Sequence, residues 1–186
     1  MCKRTAAGLW TVLLFAGTLA GAADLPGEEK EPLGLGRQAT EAEIRAWDRD
    51  VSPTGEGLPA GKGTAQEGAR LFSTKCASCH GVTGAEGPAP RLVGGQNTLA
   101  TKNPVKTVGS YWPYATTLYD YIRRAMPFTA PQSLTSDEVY AVTAWILARN
   151  GIITDNAVMD AQSLPNVRMP NRDGFVPDPR PDVPHR

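Results

Sequence analysis

The sequence predicts an all-α domain carried between two extended flanks. Three observations predict it. Thr-x-x-Glu capping boxes open helical stretches at Thr64 with Glu67 and at Thr135 with Glu138. Apolar residues recur at helical spacing in "TTLYDYIRRA" and "LTSDEVYAVTAWILARNG". Gly- and Pro-rich stretches lie on both sides of these segments. A length of 186 residues, 41% hydrophobic and 20% charged, suits one globular domain with extensions.

The chain begins "MCKRTAAGLWTVLLFAGTLAGAADLPG", with Lys3 and Arg4, then no charge until Asp24, and small residues at the end. That is the pattern of a cleaved secretory signal, so residues 1–23 are read as a signal peptide and the mature chain as periplasmic, with no stable membrane insertion after cleavage. An uncleaved anchor is the alternative, because the uncharged run approaches the length of a membrane span. Removing Lys3 and Arg4 from 19 Lys+Arg leaves 17 against 19 Asp+Glu. This balance gives no electrostatic case for a nucleic-acid partner. Residues 24–63 are read as an N-terminal extension and linker. They hold one short capped helix, Thr40 with Glu43, that puts Ile44 and Trp47 on one face.

Residues 64–151 form the predicted domain. Its first helix, in "GTAQEGARLFSTKCASCHG", runs into Cys76, Cys79 and His80, a C-x-x-C-H motif. This is the attachment signature of c-type haem. Two thiols three apart add across the two vinyl groups of one porphyrin, and the next residue lies beneath the iron as an axial ligand. A thioredoxin-type C-x-x-C would follow a strand, and here a helix precedes it. A structural zinc needs four ligands, and the only other histidine is His185 at the C-terminus. One covalent haem c is therefore expected.

A second axial ligand is sought among Met126, Met159 and Met169. Met126 ends the helical run in "RRAMPF", where Pro127 stops the helix and stiffens the loop that would present the sulfur. It is the expected ligand, with a core-filling methionine as the alternative. The stretch "GSYWPYATTLYDYIRRAMPF" holds six of the thirteen aromatic residues, which are expected to line the porphyrin cavity. Trp112 is a candidate donor to a haem propionate, with plain packing as the alternative. Arg123 and Arg124 either stabilise the helix end or meet a propionate or an acidic patch on a partner. The last helix buries Val139, Val142, Trp145 and Ile146 and ends at Gly151. Residues 152–186 form a Pro-rich extension that is not expected to build a core of its own.

These elements, in this order, resemble the class I c-type cytochromes. The resemblance implies the class I cytochrome c fold. It implies that Gly68 and Phe72 form a small-and-aromatic pair that lets the first helix cross the last, with Trp145 packed against them. "GPAPRLVGG" corresponds to the family's P-x-L-x-G run. The resemblance implies that the Pro90 carbonyl accepts a hydrogen bond from His80 and that Leu92 closes the pocket wall. "GLGRQATEAEIRAWDRDV", "PVKTVGSYWPYATTLYDYIRRAMPFTAPQSLT" and "RMPNRDGFVPDPRPD" further resemble the cytochrome c subunit of sulfane dehydrogenase, the SoxD family of sulfur oxidation, over residues 35–182. That family commonly carries two haems, whereas this chain holds one attachment motif.

The resemblance implies single-electron transfer beside a molybdenum-cofactor sulfane or sulfite dehydrogenase subunit, with a downstream cytochrome c or oxidase as acceptor. With His80 and Met126 on the iron no substrate position is open, so no catalytic site is expected in the chain itself. A general carrier for another periplasmic dehydrogenase is the alternative. A haem enzyme or sensor would require that Met126 not bind.

Overall fold

The computed structural model describes residues 34–178 and 180. The signal-peptide reading of residues 1–23 and His185 lie outside the described residues. The chain divides between Gln38 and Ala39, and every described helix and strand belongs to the second unit. In chain order these are α1 (Glu41–Trp47), β1 (Lys62–Thr64), α2 (Ala65–Lys75), α3 (Ala77–His80), α4 (Ala115–Ala125), α5 (Ser136–Arg149) and β2 (Val158–Asp160), followed by a 3-10 turn at Leu164–Asn166.

Capping boxes start three of the helices. Thr40, Thr64 and Thr135 each accept from the backbone N–H three residues on, and Glu43, Glu67 and Glu138 reach back to the cap backbone. From Val139 to Leu147 every residue of α5 is buried, and a helix apolar on all sides belongs at the centre of a domain. α2 crosses it so closely that a Cβ at Gly68 would overlap the Ala141 carbonyl oxygen and the Trp145 Cβ. One turn further along, Phe72 stacks on Trp145 with ring centroids 3.8 Å apart.

The other face of α5 receives α4. Tyr119 and Tyr140 pack with centroids 4.4 Å apart, and the Tyr140 hydroxyl donates to the Pro59 carbonyl at 2.9 Å. Burial pushes both phenols above the ordinary tyrosine value, which keeps them neutral. In the structure Tyr121 is exposed and Tyr119 is buried, because Ala115, Leu118, Tyr119 and Ile122 share the stripe that meets α5.

The described parts of both flanks that belong to the second unit fold onto the helices. Val51 is buried and donates its N–H to Asp120 Oδ1 at 3.0 Å, and Thr116 donates to the Pro53 carbonyl at 3.1 Å. β1 and β2 pair antiparallel, with Gly63 opposite Met159, and lie on α5 where a Cβ at Gly63 would overlap the Ala141 backbone. This ribbon is not legible in the sequence, since three-residue strands are too short to show a two-residue period. The C-terminal extension supplies no core of its own but completes this one. Leu164 is 0% and Met169 1% exposed, and Val167 is also buried.

The helix crossing yields a stability prediction. Gly68→Ala gains about 1 kcal/mol of helix propensity but overpacks a contact with rigid backbone, at about 1–3 kcal/mol or more. Its thermal midpoint, followed by circular dichroism, falls by several degrees; an unchanged or raised midpoint contradicts the close crossing.

Candidate haem site

Cys76 closes α2, its N–H still bonded to the Phe72 carbonyl at 2.9 Å. The chain then makes the single turn α3, in which His80 N–H returns to the Cys76 carbonyl at 3.0 Å. Residues three and four apart share a helical face, so the turn presents Cys76, Cys79 and His80 together. Gly81 ends it with φ of +79°, a conformation that favours glycine. Burial, and secondarily the neighbouring Cys79, pushes the Cys76 thiol up to about 11. A place that disfavours thiolate suits a neutral thioether.

The following loop folds back beneath this turn. Ala89 N–H donates to the Cys79 carbonyl at 2.8 Å, and a Cβ at Gly87 would overlap that same carbonyl. His80 Nδ1 then lies 2.9 Å from the Pro90 carbonyl oxygen. A carbonyl can only accept, so the proton sits on Nδ1 and Nε2 keeps the lone pair that a metal needs. Leu92 N–H bonds the Gly84 carbonyl at 2.8 Å.

Met126 caps the C-terminal end of α4, and Trp112 lies in the loop before that helix. Met126 is the residue at which α4 ends, its N–H bonded to the Ile122 carbonyl at 3.0 Å. Cys76, Ala77, Leu92, Trp112 and Met126 are all half-buried against the main apolar cluster. Met159 and Met169 are fully packed inside it. Of the methionines described, Met126 alone keeps partial exposure.

The aromatic run does not serve one cavity, contrary to the expectation. Tyr119 belongs to the contact with α5. Tyr111 meets Phe175 edge-on at 5.2 Å, and the Arg172 guanidinium sits over Tyr114 at 4.5 Å, so two of the rings hold the C-terminal segment. Trp112 packs edge-on against Tyr121 at 5.9 Å, and Phe128 is 82% exposed. The arginines are also occupied within the chain. Arg124 pairs with Asp120, with Nε 2.9 Å from Oδ1, and Arg123 donates to the Arg49 carbonyl at 3.2 Å. Asp120 was not singled out from the sequence, although its i,i+4 spacing to Arg124 is a recognisable pairing signal.

Residues 65–150 match the cytochrome c family model. Among solved structures, the sulfane dehydrogenase SoxCD from Paracoccus pantotrophus matches at 46% identity and a TM-score of 0.75, over 81% of this chain and 75% of that one. The chain is a class I c-type cytochrome resembling SoxD. Thiosulfate dehydrogenase TsdBA from Marichromatium purpuratum matches at 27% identity and a TM-score of 0.35, over 49% of this chain and 20% of that one. A search of curated proteins returns no match.

A cytochrome of this class binds haem c covalently and transfers electrons, and its likeness to SoxCD associates it with sulfur oxidation. The residues present fit the group: two thiols and an imidazole on one turn, with the imidazole nitrogen tautomer fixed for ligation. Cys76→Ala with Cys79→Ala is therefore expected to abolish the haem stain on a denaturing gel and most of the folded protein. Covalent haem surviving in the double variant contradicts the attachment site.

Proposed function

We propose that this cytochrome is exported to the periplasm and accepts single electrons from a molybdenum-cofactor sulfane or sulfite dehydrogenase, as its subunit or standing partner. It passes them to a downstream cytochrome c or oxidase. The observation that carries this reading is the SoxCD match, whose 81% coverage extends well beyond the 65–150 segment into the flanks. A generic carrier shares the haem domain; likeness that includes the flanks favours a shared partner.

In this reading Cys76 and Cys79 tether the haem, and His80 Nε2 and the Met126 sulfur are its axial ligands. Haem c supplies a one-electron Fe(III)/Fe(II) couple. The Pro90 carbonyl holds the His80 proton at Nδ1, and Leu92 and Trp112 shield the pocket from water. The Met126 thioether favours Fe(II) and raises the potential. With both axial positions taken by the chain, oxygen transfer to a sulfur compound belongs to the partner's centre.

The surface offers a place for that partner. α1 buries none of its residues, and it exposes Ile44 by 46% and Trp47 by 88%. Just past its end, Arg49 Nη1 donates to Gln132 Oε1 at 2.7 Å and the Arg49 carbonyl accepts from Arg123. These bonds tie α1 to the segment after Met126, where Phe128 is also exposed. Exposed aromatic anchors at a fixed position are the residues that dominate protein interfaces. We assign this apolar surface to the dehydrogenase subunit.

The test is reduction of the purified cytochrome, followed by its haem absorbance under anaerobic conditions. Sulfite or a protein-bound sulfane reduces it only when the molybdenum dehydrogenase of the same cell is added. Trp47→Ala weakens the complex about tenfold or more, a loss of about 1.4 kcal/mol or more, and leaves the haem spectrum unchanged. Catalytic reduction of the isolated cytochrome by sulfite removes the partner, and undiminished binding by Trp47→Ala removes α1 from the interface.

A further inference from the structure

Asn150, at the C-terminal end of α5, bonds in two directions. Its Nδ2 donates to the Ile146 carbonyl at 2.9 Å, which also accepts from the Asn150 backbone N–H at 3.2 Å, and to the Leu92 carbonyl at 3.1 Å. Its Oδ1 accepts from Gly94 N–H at 3.0 Å. Gly109 packs so tightly on this amide that a Cβ there would overlap it. The Gly94 carbonyl is held in turn by the Thr107 hydroxyl.

The segment so clasped carries the Pro90 carbonyl. Upstream, Ala89 is fixed to Cys79. Downstream, Leu92 is fixed by its N–H to Gly84 and by its carbonyl to Asn150. Proline has no N–H with which to anchor itself, so its carbonyl direction is set by these neighbours. Asn150 is the side chain that fastens the downstream end to the core helix. His80 Nδ1 is hydrogen-bonded to the carbonyl between the two anchors.

We propose that Asn150 is a positioning residue for His80. By holding Leu92 and Gly94 it aims the Pro90 carbonyl at Nδ1, and so sets the electron density that Nε2 gives the iron and with it the midpoint potential. The inference rests on the reading of His80 as axial ligand. A hydrogen bond at Nδ1 makes the imidazole a stronger donor, which favours Fe(III). Loosening that bond raises the potential. A role confined to capping α5 predicts the opposite sign or no change, because a loosened pocket admits water, which favours the more highly charged Fe(III).

The experiment uses the full-length haem-loaded protein and its Asn150→Ala, Asn150→Asp and Gln96→Ala variants. It reads the midpoint potential by spectroelectrochemistry and exchange of the His80 Nδ1 proton by NMR. Asn150→Ala is expected to raise the potential, retain the far-red sulfur-to-iron band and speed the proton exchange about tenfold, as loss of one hydrogen bond allows. Gln96→Ala, which removes only outer contacts to Asn150 at 3.2 and 3.4 Å, leaves both readouts near wild type. Asn150→Asp, close to isosteric, keeps the acceptor for Gly94 and loses the donor to Leu92. It is read by proton exchange alone, since its charge moves the potential by itself, and its exchange is also expected to quicken. An unchanged or lowered potential in Asn150→Ala, or unchanged exchange in Asn150→Asp, overturns the proposal. Absence of a paramagnetically shifted His80 signal from the wild type instead overturns the ligand reading.

Discussion

The approach of α2 to α5 at Gly68 governs the rest of the structure. Because only hydrogen fits against the Ala141 carbonyl there, the two helices meet backbone to backbone, and Phe72 can stack on Trp145. The end of α2 then fixes where Cys76, Cys79 and His80 emerge, and the end of α5 fixes Asn150. The loop from Gly81 to Gly94 is fastened to both: to Cys79 and His80 through Ala89 and Pro90, and to Asn150 through Leu92 and Gly94. One glycine contact therefore sets the frame in which the His80 imidazole is held against the Pro90 carbonyl.

The flanks are part of this construction. The linker after α1 is sewn to α4 through the Val51 N–H on Asp120 and the Thr116 hydroxyl on the Pro53 carbonyl, and Arg124 pairs with the same Asp120. The C-terminal segment adds a strand to β1 and buries Leu164 and Met169. It then grips the loop around Trp112 through Phe175, through Arg172 over Tyr114, and through an Asn171 side chain that donates to the Tyr111 carbonyl at 2.8 Å. Proline-rich chain loses little conformational entropy when it is laid down, which makes it suitable for such a strap. Ile44 and Trp47 on α1 stay exposed.

Features with local causes were legible in the sequence. Capping boxes are four-residue patterns, and all three start helices at the expected residues. C-x-x-C-H requires no context, and the packing of Trp145 on Gly68 and Phe72 was implied by the family resemblance. Features that arise from tertiary partners were hidden. Tyr119 and Tyr121 are two apart on one helix, and which of them is buried depends on where α5 lies. Arg123 looks like a free cation until the linker that receives it is in place. Met169 resembles a residue in a polar tail, yet it is buried because the tail returns to the core. Asn150 carries no sequence signal beyond that of a helix end, and its loop partners Leu92 and Gly94 lie more than fifty residues away in the chain.

In the proposed function His80 and Met126 occupy both axial positions of the iron, and the sulfur chemistry belongs to a partner. Iron K-edge absorption and near-infrared spectra of the native oxidised protein, repeated on Met126→Ala, address it most directly. The account predicts a six-coordinate low-spin iron with one sulfur scatterer and a sulfur-to-iron band, both lost in Met126→Ala while the covalent haem remains. A five-coordinate high-spin iron in the native protein, or a sulfur ligand that persists without Met126, would contradict it.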